Sequence, residues 1–285
     1  MSQPRSGPTA ALRIFAADLH ARREATGLTR EAAAEALGVH PDTVRRLEQA
    51  VTAPRKVTVQ QLLRLYGTPD ADTGTVLASL QEALRPGWWH PYRDILPDHL
   101  AGVIDLESAA SLIRCYAPGV VPELLQTPDY ARALLTLHHP RASDAEIERR
   151  VQLLAERRRH STGRSEPARL WALIEEAVLA RRIGSPEVMR GQIEHLERCA
   201  LHPGPVTVQV VRTASGPHPL LLSGPFDVIR FDHAMMADRL VVRGLHSDVG
   251  TVTADRAAVR AYLAALDTTA SLAASPTSPL PKELP

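Results

Sequence analysis

The sequence is poor in cysteine, lysine and aromatic residues. Cys115 and Cys199 are its only cysteines and lie far apart, so we expect buried free thiols, with a disulfide or a sensor thiol as the alternative. Aromatic residues make up 4% of the chain, which predicts cores of Leu, Val and Ala. No run of about 18 apolar residues occurs and no signal-peptide core begins the chain, so we expect a cytoplasmic protein that contacts no membrane.

Spacings that bind metals or cradle phosphates are also missing. The chain has no His-Glu-x-x-His and no Cys-x-x-Cys, and the adjacent His138 and His139 diverge on a helix. We therefore expect no metal site and no cofactor.

Length and charge favour two domains with different surfaces. At 285 residues and 44% hydrophobic content, the chain can build two cores. The net charge is only +1, but residues 1–66 contain ten Arg or Lys against six Asp or Glu, a net +4, which leaves −3 for the remainder. This asymmetry favours contact between the N-terminal domain and nucleic acid.

Residues 29–49 have the pattern of two short helices joined by a turn. Thr29 is a good N-cap residue, and Arg30–Leu37 is rich in Ala, Glu and Leu, which favour helix. Gly38 can adopt the positive φ of a helix C-terminus. Pro41 suits the first turn of a second helix, where its missing N–H has no intrahelical partner.

The second helix has one apolar face. Val44 and Leu47, three residues apart, share that face and leave the polar side chains to point elsewhere. Leu12–Thr26 and Thr58–Tyr66 are predicted as flanking helices. A buried stripe beneath a polar face is the form of a helix–turn–helix, whose second helix enters a DNA major groove. The alternative is a helical bundle whose arginines only solvate its surface.

This pattern resembles the Cro and phage-repressor type (XRE) helix–turn–helix family over roughly the first quarter of the chain. The resemblance implies double-stranded DNA as a partner. It places Arg30 near phosphate and base, and Glu48 at the acidic position that closes the motif. The segment after the second helix is expected to reach the phosphate backbone. The DNA-binding candidates are Arg30, His40, Pro41, Asp42, Thr43, Arg45, Arg46, Arg55 and Lys56.

Some positions depart from the family's pattern. Ala50 stands where a Gly usually follows the acidic residue, so a different exit turn is expected. His40 and Pro41 replace more ordinary cap residues. Asp42 would repel phosphate unless it accepts a hydrogen bond from a cytosine amine.

The remaining sequence predicts an α+β domain, with helices first and a small sheet later, after the all-α N-terminal domain. Gly67–Thr75 is expected to be a linker and Val76–Leu84 a short helix. Further helices are expected at 105–116, 128–138, 143–160, 186–200 and 255–272, and strands at 170–175, 206–211, 226–231 and 240–242. The expected domains are 1–67 (helix–turn–helix), 68–87 (linker and short helix), 88–274 (regulation and dimerisation) and 275–285 (disordered tail).

A second resemblance covers most of residues 86–275. Its motifs are Trp88-Trp89-His90-Pro91-Tyr92, Leu106-Glu107-Ser108-Ala109-Ala110, Val121–Arg132, Glu175-Glu176-Ala177 and Met189-Arg190-Gly191-Gln192-Ile193. They resemble the uncharacterised C-terminal domain of actinomycete helix–turn–helix proteins, an antitoxin-like family similar to WhiJ-type regulators. That family is often paired with a small acidic partner protein. Glu123 replaces a usual Gly, and Arg243-Gly244 replaces a common aromatic and Glu.

Ligand or partner candidates lie in four of these motifs. Gln126 and Thr127 offer donors and acceptors, although Thr127 is also an N-cap residue before Pro128. The aromatic residues Trp88, Trp89 and Tyr92 are candidates for a pocket or partner anchor, or they fasten the linker to the second domain.

Acidic residues supply the remaining candidates. Glu107, Glu175 and Glu176, with His218, offer acid–base groups for an enzyme. Ion pairs with the abundant arginines are the ordinary alternative.

These patterns favour a sequence-specific DNA-binding transcriptional regulator, expected to be a homodimer, whose C-terminal domain dimerises or senses a ligand or partner. Two alternatives remain open at this point. One is an antitoxin-like adaptor that binds a small acidic protein, and the other is an enzyme with a small-molecule site in the C-terminal domain.

Overall fold

A computed structural model describes residues 9–163, 166–201, 204–233, 236–244, 250–276, 278 and 280. The chain forms two compact units, Met1–His90 with His233–Met236, and Pro91–Asp232 with Ala237–Pro285. The tail expected over 275–285 falls mostly outside the described residues.

The first unit is helical, as the sequence predicts. Its helices are α1 (Ala10–Ala25), α2 (Arg30–Leu37), α3 (Pro41–Glu48), α4 (Lys56–Leu65) and α5 (Asp70–Ala83). One buried cluster draws on all five helices, with Phe15, Ala34, Val44, Leu62 and Leu80 among its members. This shared core sets the mutual orientation of α2 and α3.

Helix α5 corrects the expected linker. The segment Gly67–Thr75 is helical from Asp70 onward. Asp70 and Asp72 lie in the first turn, where carboxylates complement the positive end of the helix dipole. Leu80 is 1% exposed, so α5 belongs to the helical core. The single Gly74 in its interior costs only about 1 kcal/mol relative to Ala.

Helices α2, α3 and α4 end in the same backbone motif. A residue one or two positions after each helix adopts a left-handed conformation, with φ of 65° at Gly38, 56° at Ala50 and 67° at Gly67. In each case the next N–H donates to a carbonyl five residues earlier, as in a Schellman motif. These bonds run from Val39 to Ala34 at 3.0 Å, Val51 to Arg46 at 2.9 Å and Thr68 to Leu63 at 2.9 Å. Ala50 thus preserves the turn that a glycine usually makes.

The second unit is an α+β fold, which confirms the predicted class. Its strands are β1 (Leu112–Ala117), β2 (Arg169–Glu175), β3 (Val206–Val211), β4 (Phe226–Arg230), β5 (Arg239–Arg243) and β6 (Gly250–Thr253). Its helices are α6 (Asp98–Ala109), α7 (Pro128–His138), α8 (Asp144–Ser161), α9 (Glu176–Ala180), α10 (Pro186–Leu201) and α11 (Arg256–Leu272). Single 3-10 turns lie at His90–Tyr92, Glu123–Leu125 and Thr213–Ser215. The sheet order is β3-β2-β1-β4-β5-β6.

Strand β1 corrects the helix predicted over 105–116. Helix α6 ends at Ala109, and the chain continues as a strand from Leu112. This strand pairs in parallel with β2 and antiparallel with β4, so it lies inside the sheet. Buried on both faces, it lacks the alternation that marks a half-exposed strand. Strand β6 was not predicted.

The two faces of the sheet support different structures. On one face, Tyr116, Leu173 and Phe226 share a core with Val259 and Leu266 of α11. The alternate residues of the same strands, including Ile113 and Asp227, point to the opposite face. There they line a cavity shared with side chains of α6, α7 and α8.

Candidate nucleic-acid interface

The helix–turn–helix is built by local hydrogen bonds that the sequence predicts. The Thr29 hydroxyl accepts from the Ala32 N–H at 3.1 Å, which caps α2. Gly38 closes α2 in the left-handed conformation. His40 then occupies the N-cap position of α3, where its Nδ1 accepts from the Asp42 N–H at 3.2 Å. Pro41 is the first residue of α3, as expected.

The outer face of α3 carries two arginines in different electrostatic environments. Arg45 donates to Asp42 at 2.7 Å and to Gln49 at 2.7 Å, so it already pairs with a carboxylate. Arg46 donates through Nε to the Thr52 hydroxyl at 3.1 Å and has no carboxylate partner among the described residues. Thr43 is exposed on the same helix. Arg46 is therefore the arginine of α3 whose charge is available to an external anion or base.

Arg55 and Lys56 flank the beginning of α4, and both are exposed. Arg55 occupies the N-cap position, but no side chain caps the helix. The N–H groups of the first turn thus remain available to an acceptor, and two cations lie beside them. Helix N-termini of this kind suit phosphate groups.

Arg30 has a structural partner in the motif. Its Nε donates to Glu48 Oε2 at 2.8 Å, and the Arg30 side chain remains 37% exposed. Glu48 also accepts from Arg23 Nε at 2.6 Å and lies 3.0 Å from Nδ1 of His20. Arg30 therefore ties the start of α2 to the end of α3, with part of its surface facing solvent.

The hydrogen bonds around Glu48 lower the pKa of Glu48 and raise the pKa of Arg23. Burial acts to raise the pKa of the Glu48 carboxyl, but hydrogen bonds from Arg23 and Arg30 outweigh it and hold that pKa below its usual value. Hydrogen bonding to Glu48 is the largest cause that raises the pKa of Arg23. The sequence analysis did not single out Arg23 or His20. A signal existed for Arg23, because it lies four residues beyond the buried Leu19 on the same helical stripe.

The second unit holds a buried cluster of ionic side chains beside its cavity. Arg157 of α8 donates to Glu107 at 2.9 and 3.1 Å and to Glu123 at 2.7 Å. Arg243 of β5 donates to Asp227 at 2.8 Å and to Glu123 at 3.1 Å. Burial raises the pKa of Asp227, although Arg243 opposes that shift. Glu107 thus forms an ion pair with an arginine, which the sequence analysis gave as the alternative to an acid–base role.

Glu123 and Arg243, the two positions expected from the resemblance to depart from the family's usual residues, meet in this cluster. Glu123 and Arg243 are 120 residues apart and are joined by a hydrogen bond. An uncharged side chain at position 123 would remove one carboxylate partner from Arg243, and an uncharged side chain at position 243 would remove one guanidinium partner from Glu123. The two expected departures therefore belong to the same ionic cluster.

The other ligand candidates occupy separate places. Gln126 lines the cavity and donates to the Val121 carbonyl at 2.7 Å. Thr127 caps α7 by accepting from the Tyr130 N–H, as its helix-start interpretation predicts. Glu176 accepts from the Thr213 N–H at 2.9 Å.

The aromatic candidates do not line the cavity. Trp88 and Trp89 contact each other edge to face, with ring centroids 6.0 Å apart. The Trp89 ring covers Gly87, where an added Cβ would lie 2.2 Å from it. Tyr92 lies beneath the Arg149 guanidinium at 5.8 Å.

The acid–base set suggested for an enzyme is only partly assembled. Glu175 accepts from the Tyr116 hydroxyl at 2.8 Å and lies 3.1 Å from His218. Glu107 belongs to the ionic cluster beside the cavity. Among the described residues, no group of His, Cys, Asp and Glu is arranged to hold a metal ion. Cys115 and Cys199 are free thiols, and burial raises the pKa of both.

No helix in the described part of the chain is long and apolar enough to cross a membrane.

Each of the two units contains a segment that matches a known protein family. Residues 14–75 match a family described as a helix-turn-helix domain, an element that binds DNA through its second helix. No curated protein and no solved structure gives a significant match. Residues 100–279, well over half of the chain, match the family described as Domain of unknown function (DUF5753), and the protein therefore belongs to that family and carries a helix-turn-helix domain at its N-terminus.

Proposed function

We propose that this protein is a sequence-specific DNA-binding transcriptional regulator of the XRE type. The observation that carries the proposal is the outer face of α3, where Thr43 and Arg46 are exposed while Val44 and Leu47 fasten the helix to the core. A helix held by one face presents the other to base edges in a major groove.

Each candidate has a proposed role on DNA. Arg46 binds a base edge, with guanine as the preferred base because it offers two acceptors to a guanidinium. Thr43 and the head of α3, formed by His40, Pro41 and Asp42, lie against neighbouring bases. Cationic groups that bind phosphate and set the register are Arg30, Arg45, Arg55 and Lys56.

The proposal is tested by selecting genomic fragments on the purified full-length protein and measuring affinity for an enriched fragment against salt. We expect one or a few fragments to be enriched, and their affinity to fall steeply with salt because phosphate contacts release counterions. Equal recovery of all fragments, with no salt dependence, would contradict the proposal.

The C-terminal domain, proposed to span 88–274, is assigned dimerisation and the sensing of a ligand or partner. The net +4 of residues 1–66 supports dimerisation, because so few cations provide only weak DNA binding for one copy. The resemblance to antitoxin-like, WhiJ-type regulators supports a small acidic protein as partner. Co-purification of such a protein with the chain from its native cells tests that role, and its loss on removal of the C-terminal domain identifies the binding part.

A further inference from the structure

The second unit contains a cavity of about 230 Å³ between one face of the sheet and helices α6, α7 and α8. An engineered apolar cavity of about 150 Å³ stays dry and binds benzene. This cavity is larger, so it has room for a molecule of more than one ring. It lies within a single unit, and its walls come from packed helices and strands.

The walls are mainly apolar. Leu100, Ile113, Leu134, Leu153 and Leu170 all line the cavity, and each is at most 5% exposed. Each of these side chains therefore packs mainly against protein and borders the cavity with a small apolar part of its surface. Contact with an apolar molecule would supply the dispersion interactions that such a surface lacks.

The guanidinium and carboxylate groups at the cavity all have ionic partners. Arg157 pairs with Glu107 and Glu123, Arg243 pairs with Asp227, and Arg150 pairs with Glu146 at 3.0 Å. An ionic ligand would have to lose its hydration and then compete with these pairs for partners. An uncharged ligand avoids that cost, and a hydroxyl or carbonyl can still share a hydrogen bond with the charged wall.

Access to the cavity is available from one side. Gly119 and Val120 are half-buried, and His138 is exposed, yet all three line the cavity. An added Cβ at Gly119 would meet no atom within 4 Å, so the chain leaves space at this rim. A small molecule can therefore enter without unfolding the sheet.

We infer that this cavity is a binding site for an uncharged, mainly apolar small molecule of about two fused rings, with one polar atom directed at the charged wall. Binding itself is independent of the proposed DNA function. The role of the molecule as an effector rests on that function.

The test uses three probes with the same ring system and different charge: 2-naphthol, 2-naphthoate and 2-naphthylmethylammonium. Each is titrated calorimetrically into the full-length protein at neutral pH. We expect 2-naphthol to bind with one site per chain, and both ionic probes to bind at least about tenfold more weakly.

Location is tested with a matched pair of variants on α7. Leu135 is half-buried and lines the cavity, so Leu135→Trp should fill it and weaken 2-naphthol binding at least about tenfold. Leu137, two residues along, is 68% exposed and lies outside the lining, so Leu137→Trp should leave the affinity unchanged. If Leu135→Trp has a lower melting temperature than Leu137→Trp, a second occluding variant is used in its place. Leu154→Phe serves this purpose, because Leu154 lines the cavity from α8.

Several outcomes would overturn the inference: no binding of 2-naphthol, equal or tighter binding of an ionic probe, or binding that survives both occluding variants. A separate titration of DNA with and without 2-naphthol addresses the effector role. DNA affinity that does not respond to bound 2-naphthol removes small-molecule sensing from the proposed function, while failure of DNA selection contradicts the regulator itself.

Discussion

Glu48 Oε1 accepts a hydrogen bond from Arg23 Nε at 2.6 Å, with side chains that are 1% and 4% exposed. This pair joins the last residue of the proposed recognition helix to α1. Because Arg30 binds the other carboxylate oxygen, one acidic side chain fixes the relative position of three helices. The orientation of the proposed recognition helix therefore depends on a buried carboxylate.

Replacing Glu48 should destabilise the protein strongly. Glu48→Gln leaves the buried Arg23 with only the exposed Glu24 as a carboxylate partner, and breaking a buried pair in this way costs up to about 3–5 kcal/mol. Chemical denaturation followed by circular dichroism measures the loss. Asp42→Asn is the control on the same helix, since it breaks only the exposed pair with Arg45 and should cost less than about 1 kcal/mol. Equal effects of the two changes would contradict the assigned role of Glu48.

The same carboxylate predicts a pH dependence. The folded-state pKa of Glu48 is lowered, so its contribution to stability is present above its ordinary pKa of 4.5 and is lost as pH falls through the lowered value. Wild-type protein should lose more stability than Glu48→Gln between pH 6 and pH 3, roughly the range of carboxyl titration. Thermal unfolding across that range measures the difference, and parallel curves would show that Glu48 does not titrate differently on unfolding.

On DNA, Arg46 and Arg45 should not be equivalent. Arg46→Ala should weaken binding to a selected site by about 1–3 kcal/mol if it contacts a guanine. The Arg45 charge is partly neutralised by Asp42 at 2.6 Å, so Arg45→Ala should cost less. Both variants are compared with wild type by fluorescence anisotropy, after circular dichroism establishes that they fold. Binding of the double variant as tight as wild type would show that α3 is not the recognition helix.

Local signals predicted the helix–turn–helix well. The cap at Thr29, the left-handed Gly38 and the Pro41 helix start each depend on neighbouring residues, and all three occur. The helix predicted over 105–116 was wrong in its second half, where β1 lies. No Gly or Pro separates β1 from α6, and burial on both faces removes the alternation that marks a strand.

Long-range partners could not be predicted in this way. The Arg157–Glu107 pair spans 50 residues, and the Arg243–Glu123 pair spans 120. Charge alone did not indicate which of the many arginines each glutamate would meet. The cavity has no local signal either, because its walls come from seven separate segments of the chain.

The shared helix-end motif predicts different effects at two of its positions. Gly38→Ala should lower the free energy of unfolding by about 1 kcal/mol, because left-handed strain of about 1–2 kcal/mol exceeds the gain from a stiffer unfolded chain. The new methyl gains little, since nothing lies within 4 Å.

Ala50→Gly relieves the same strain but removes a methyl from a residue that is 3% exposed, a loss of about 0.8 kcal/mol. The added freedom of the unfolded chain costs about 0.4–1 kcal/mol more. The net change should therefore stay below about 1 kcal/mol. Urea denaturation of both variants measures the contrast. A large gain in stability for Ala50→Gly would mean that its methyl contributes little to the core.

The full-length protein should be a dimer, and its N-terminal domain alone should be a monomer. Helix α5 contributes Leu80 to the first unit's core, so a fragment that tests the DNA-binding domain alone should extend to residue 84. Full-length protein should scatter light as a dimer, twice the chain mass of 31.1 kDa, whereas residues 1–84 should be monomeric.

Two half-sites about 10 base pairs apart, or a multiple of that, are expected in the selected DNA. The full-length protein should also show about twice the fragment's slope of log affinity against log salt, because two copies contact about twice as many phosphates. A monomeric full-length protein with the fragment's affinity and slope would exclude dimerisation through the C-terminal domain.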